Sequence, residues 1–243
     1  MKKAVVYLLL TLVTVLAGCA STRPVPVLDL AADTVPVAAE FVTVREQADH
    51  SHDHAGHGRD ESKEVRWHMF RSTNRIDIDN VTVNTGETWL RDGKLLVMRQ
   101  LFHEDRKGIE YLADDFAVLG MQPSWQRQAM LIDPAVLQAL QETGSSWQDG
   151  NPLRHYRGDV DGQRFEVMWR VDVNLPYSLV RERDGQRETT RLLAVHPLAQ
   201  SPWKYENGDG YELIDYADLG DRERDPFVLK IQSQLPGGDM HHH

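Results

Sequence analysis

QRFEVMWRVDV (residues 163–173) places Phe165, Val167, Trp169, Val171 and Val173 at alternate positions, with Arg164, Glu166, Met168, Arg170 and Asp172 between them. A period of two is the mark of a strand whose sheet buries one face and wets the other. Asp161-Gly162 precedes the run, and Asp184-Gly185 divides YSLVRERDGQRETTRLLAVH into two halves. Asp-Gly between alternating runs is a strong signal for a tight hairpin. Asp92-Gly93 separates TGETWLR from KLLVMRQLFH in the same way, and RIDID (75–79) alternates Ile76 and Ile78 with polar residues. KGIEYLA follows a charged turn, and YELIDYADL (211–219) reads as the last long strand. Strand after strand with short turns describes an antiparallel meander of about eight to eleven strands.

A helical insertion interrupts the series. PSWQRQAML sets Trp125 and Ala129 one helical turn apart. Asp133 and Pro134 then start a helix expected to run PAVLQALQETG to Gly144, with Val136, Leu137 and Leu140 as its apolar stripe. A short helix is expected near 225–228. The class is β-rich (α+β): an antiparallel unclosed β-barrel or half-barrel with the helical insertion against its concave face. A closed lipocalin-like barrel is the alternative, because it produces much the same pattern.

Lys2 and Lys3 precede an apolar run, AVVYLLLTLVTVLAG, of signal-peptide length and short for a bilayer span. It ends in Leu16-Ala17-Gly18-Cys19, which resembles the lipobox of bacterial lipoproteins. That resemblance implies cleavage before Cys19 and lipidation of its thiol and new amine. Ala20 and Ser21 follow where lipoproteins of the enteric type carry Asp for inner-membrane retention. The resemblance therefore implies an outer-membrane, periplasm-facing address. Cys19 is the sole cysteine, so no disulfide can form within the chain.

Element order, compartment and size over residues 64–231, with EVRWHMF and GETWLRDGK as early hairpins, resemble the periplasmic lipoprotein-carrier (LolA/LolB-like) superfamily. That resemblance implies a half-barrel receiving lipidated proteins or other hydrophobic ligands. Trp125 on the helix facing the sheet, with Trp89, Leu137 and Leu140, is the candidate apolar pocket.

The expected division is a lipoprotein signal at 1–18, a lipid-anchored flexible tether at 19–63, a β-rich domain at 64–235 and a flexible tail at 236–243. The tether holds three prolines before residue 40 and then DHSHDHAGHG (49–58), too polar to fold alone. VPVAAEFVTV within it pairs at most as an edge strand. His50, His52, His54 and His57, with Asp53, present imidazole and carboxylate ligands suited to Zn, Ni or Cu. His241, His242 and His243 form a second, terminal set. His68, His103, His155 and His196 are dispersed and read as surface or core histidines.

The chain carries a formal charge of −10, and −12 once residues 1–18 are removed. An acidic protein of this kind argues against nucleic acid or anionic lipid as a partner. It has no H-E-x-x-H, no nucleophile elbow and no phosphate loop. Glu110, Asp114, Asp115, Asp215 and Asp218 read as rim and turn carboxylates. The leading expectation is a non-enzymatic lipoprotein with a binding or scaffold role and a His-rich arm that takes up divalent metal. The rival is a carrier or sensor of lipidated or hydrophobic ligands, with the histidines incidental. A degradative surface enzyme is the third.

Overall fold

At Asp149-Gly150, Asp161-Gly162 and Asp184-Gly185 both residues take positive φ, between 50° and 78°. This is the type I′ geometry, whose twist matches that of the strands it joins. In the computed structural model, which describes residues 23–30, 35–47 and 63–235, such turns string together two meanders. The first comprises β1 (Val37–Gln47), β2 (Lys63–Arg71), β3 (Arg75–Asn80), β4 (Thr85–Asp92), β5 (Leu95–Phe102) and β6 (Lys107–Tyr111). Three short helices follow: α1 (Ala113–Val118), α2 (Trp125–Met130) and α3 (Pro134–Ala139). The second comprises β7 (Gln141–Gln148), β8 (Asn151–Val160), β9 (Gln163–Arg170), β10 (Leu175–Arg183) and β11 (Gln186–Pro197). A short β12 (Glu212–Asp215) and α4 (Pro226–Ile231) complete the chain.

All twelve strands form one sheet, in the order β12-β6-β5-β4-β3-β2-β1-β11-β10-β9-β8-β7. Only the β12–β6 pair is parallel. The edges β12 and β7 do not pair with each other, so the sheet is an unclosed half-barrel and the closed lipocalin-like alternative falls. Its inner face carries the core, in which Phe41, Met69, Ile76, Trp89, Met98, Val167 and Trp169 pack with Trp125, Met130 and Leu137 of the helices.

Three expectations change. β1 is no part of a tether or edge: it pairs with β2 on one side and β11 on the other, joining the two meanders. Val37, Ala38, Ala39, Phe41 and Val42 are all buried, on both faces, as suits a central strand. The helix from Pro134 stops at Ala139, and Gln141–Gln148 turns into β7. Only four residues of YELIDYADL are strand, and a 3-10 segment capped by Asp215 follows.

A buried arginine locks the inner layer. Arg71 is fully buried and faces no carboxylate among its hydrogen-bond partners. It donates to the carbonyl oxygens of Val35 (3.0 Å), Ala129 (2.5 Å), Val173 (2.5 Å) and Asn174 (3.2 Å). One side chain thus ties the entry of β1, the end of α2 and the β9–β10 turn. Burial pushes its pKa down to about 10, so it stays charged at neutral pH.

The register also defines two ends. Val37 of β1 pairs with Arg71 and Pro197, so chain entry, the β4–β5 turn and the β7–β8 turn share one end, the entry end. Arg45 pairs with Lys63 and Glu188, so the β1–β2 connection shares the opposite end with the Asp161-Gly162 and Asp184-Gly185 turns.

Candidate functional site

The inner face is filled near the entry end and open at the other. There, two adjoining compartments of about 790 Å³ and about 960 Å³ form a cleft. Its inner compartment has an apolar lining from Trp67, Ile78, Met121, Leu131 and Leu179. Trp67 is stacked on Phe41 at 4.5 Å and donates its indole N–H to Thr43 Oγ1 at 3.0 Å. Thr43 is hydrogen-bonded to Thr190 at 2.9 Å, so the floor is set by a cross-strand pair.

The outer compartment is lined by five arginines and by the carboxylates of Glu46, Asp133, Asp161, Asp184 and Glu188. Arg45, Arg127 and Arg181 line both compartments, and Arg183 and Arg187 line the outer one. Glu188 is bracketed by Arg45 (2.8 Å) and Arg181 (3.1 Å). Arg181 also donates to the Leu131 carbonyl at 2.5 Å, supporting that residue's left-handed conformation (φ 62°) between α2 and α3. Burial lowers the Arg181 pKa, with the Glu188 carboxylate opposing and Arg127 adding to the effect. Glu87, on the inner compartment's wall, has its carboxyl pushed up by burial, against a hydrogen bond from the Trp89 indole. The apolar patch of the inner compartment adjoins Arg127, which lines both compartments, so an amphipathic ligand seated there can set an anionic head against a guanidinium.

The four residues expected to form an apolar pocket do not line this cleft. Trp89, Trp125, Leu137 and Leu140 are all buried in the core. Trp125 lies under the Arg91 guanidinium, and Trp89 stacks on Phe116. The helices seat so closely on the sheet that their apolar stripe fills its own space. Trp67, which the sequence did not single out, is the cleft's tryptophan. The arginine set had one readable signal: across the Asp184-Gly185 hairpin, Arg181 stands opposite Glu188.

Cys19, His50, His52, Asp53, His54, His57, His241, His242 and His243 lie outside the described residues. The flanks of the His-rich tract are described, however: Gln47 ends β1 and Lys63 starts β2, at the cleft end of the sheet. The tract is therefore a connection within the central hairpin, not a link between anchor and domain.

Of the dispersed histidines, three contact residues 201–211, which lie across the outer face as a strap. His68 stacks on Trp203 at 4.6 Å, with its ring nitrogens 4.0 Å from Glu40 and 3.7 Å from Asp79. His196 meets Trp203 edge-on, and His103 Nδ1 lies 3.1 Å from the Tyr211 hydroxyl. His155 instead bonds Ser146 at 2.9 Å. Among the described residues no group of three or more His, Cys, Asp or Glu is placed to hold a metal. Glu110 pairs with Arg99, while Asp115 and Asp215 accept backbone N–H bonds as helix caps.

No protein family and no curated protein matches the chain. Among solved structures it is similar to PNGF-II (TM-score 0.42, 8% identity, 81% of this chain and 33% of that one). It is also similar to Pseudomonas aeruginosa MucB in its complex with MucA (TM-score 0.36, 13% identity, 66% and 51%). An uncharacterized conserved protein from Thermus thermophilus aligns at TM-score 0.40, with 8% identity over 75% of this chain and 91% of that one. The chain spans 33% of PNGF-II's length. At these levels the likenesses assign neither a family nor a function. Among the described residues no helix is long and apolar enough to cross a membrane.

Proposed function

We propose that the protein is a non-enzymatic lipoprotein, anchored through Cys19 to the periplasmic face of the outer membrane, whose cleft binds an amphipathic ligand with an anionic head. The observation that carries this reading is the juxtaposition, in one cleft, of an apolar patch of Trp67, Ile78, Met121, Leu131 and Leu179 with Arg127, which lines both compartments. An acyl chain, free or on a lipidated protein, matches that juxtaposition: its hydrocarbon would lie against Trp67, Ile78 and Leu179, and its acid or phosphate against Arg127 and Arg181. Tryptophan fluorescence of the soluble chain, titrated with a long-chain fatty acid or an anionic lysophospholipid, tests it. Saturable quenching lost in Trp67→Phe is expected. Quenching that persists unchanged in Trp67→Phe, or no quenching at all, sinks the reading.

A metal role for the His-rich connection is a second reading, favoured by the placement of Gln47 and Lys63 at the cleft end. His50, His52, His54 and His57, with Asp53, supply imidazole and carboxylate ligands for Zn, Ni or Cu, and His241–His243 add a further set. Calorimetric titration with Zn(II), with and without residues 49–58, tests this. Equal affinity in both proteins overturns it.

A further inference from the structure

The entry segment is docked, not free. The Arg23 carbonyl accepts the Trp147 indole N–H at 2.7 Å, and the Arg23 guanidinium lies over the same ring at 4.5 Å. Arg154 donates to Pro26 O at 2.7 Å and Val25 O at 3.3 Å, and Asn174 donates to Asp29 O at 3.4 Å. Leu28 and Leu30 pack against the core. Residues 23–30 therefore run along the inner side of the β7–β8 edge before the Val35 carbonyl is taken by Arg71.

Cys19 lies four residues before Arg23, and an extended chain covers at most about 3.6 Å per residue. The Cys19 Cα is thus held within about 14 Å of the Arg23 Cα. A lipidated cysteine sits at headgroup depth, so the spacer between anchor and folded domain is far shorter than a tether spanning 19–63 would give. Val27, 80% exposed, stands on this segment. Tryptophan and arginine side chains with apolar neighbours are favoured at a lipid headgroup boundary.

We infer that the entry end of the half-barrel, around Arg23, Val27, Trp147 and the β7–β8 turn, is a membrane-docking surface. The cleft mouth and the ends of the His-rich connection then face away from the bilayer. This rests on the lipid anchor at Cys19 proposed above. The two ends are well separated: β11 runs twelve residues from Gln186 at the cleft end to Pro197 at the entry end, roughly 36 Å at about 3.3 Å per residue.

The test uses the full lipidated chain. Because acylation consumes the only native thiol, Gln148→Cys and Gln186→Cys each give a unique labelling position. Mass spectrometry first establishes acylation, and the labelled proteins are then placed in phosphatidylethanolamine–phosphatidylglycerol vesicles containing a nitroxide-headgroup lipid. Fluorophore at 148 is expected to be quenched severalfold more than at 186. Inserting about 20 Gly-Ser residues between Ser21 and Arg23, with a span of roughly 25 Å, is expected to abolish the difference. An acylated protein with equal quenching at both positions, or a difference that survives the insertion, overturns the docking alone. Absence of acyl chains on Cys19 overturns the anchor reading and the docking with it.

Discussion

Replacing Arg71 with Met is the most exacting test of the inner layer. The substitution keeps volume and apolar contact but leaves the carbonyls of Val35, Ala129, Val173 and Asn174 without their buried donor. Each acceptor so stranded costs about 1–3 kcal/mol. Against this, the variant escapes the cost of burying a charge, which holds the Arg71 pKa down to about 10 and corresponds to about 3 kcal/mol. The balance is a loss of roughly 1–9 kcal/mol, and a value in its lower half, about 3–5 kcal/mol, is expected because the stranded carbonyls can relax towards other donors. In urea unfolding with m of about 3 kcal/mol/M, the midpoint falls by about 1–1.5 M with m unchanged. Arg71→Lys keeps a charge but cannot fork towards four acceptors, and falls between the two. A midpoint shift in Arg71→Met below about 0.3 M, equivalent to less than 1 kcal/mol, would refute the lock.

The other expectations concern single groups. Burial raises the Glu87 carboxyl, so the folded state binds that proton more tightly than the unfolded state and loses stability as pH rises through the raised value. Glu87→Gln should therefore raise Tm near neutral pH, with the gain vanishing below the ordinary carboxyl range; a gain independent of pH would contradict the assignment. A Cβ at Gly86 would stand 2.9 Å from both His103 Nε2 and the Tyr205 hydroxyl, so Gly86→Ala should cost about 1–3 kcal/mol through overpacking. It should also speed proteolysis of residues 201–211, and unchanged cleavage and stability would show that the strap does not press on the sheet. Arg127→Gln should weaken binding of an anionic amphiphile about tenfold, equivalent to about 1.4 kcal/mol, and leave an uncharged amphiphile unaffected. Equal effects on both ligands would remove the mouth from recognition.

Strands with one wet face announced themselves in the sequence. In β9, Phe165, Val167 and Trp169 alternate with Arg164, Glu166 and Arg170, and the pattern holds until the turn at 171–174. β1 and β7 escaped for opposite reasons. β1 is buried on both faces at its start, which erases the alternation, and its flanks are a proline-containing stretch and the His-rich tract. β7 is an exposed edge of polar residues, QETGSSWQ, where pattern has nothing to act on. The cleft was harder still. Trp67 comes from β2 and Arg127 from α2, and only the packing of α1–α3 on the sheet decides which tryptophan is left beside open space. The histidines of the outer face were equally hidden, since His68 and His196 share Trp203, and His103 meets Tyr211, on a strap without regular strand structure.

The central position of β1 carries a consequence for biogenesis. Thr43 meets Thr190 across 147 residues of chain, so the first strand of the sheet to be synthesised cannot complete its pairing until nearly the whole domain has been made. The β2–β6 meander can assemble from local hairpins, but its join to β7–β11 waits for β11, a closure of high contact order that is intrinsically slow. During that interval β1 offers an unpaired edge and an apolar face to solvent, the condition under which β-rich chains aggregate or require a holding chaperone. Productive folding of this chain should therefore be more sensitive to delays late in synthesis than to any defect in its first meander.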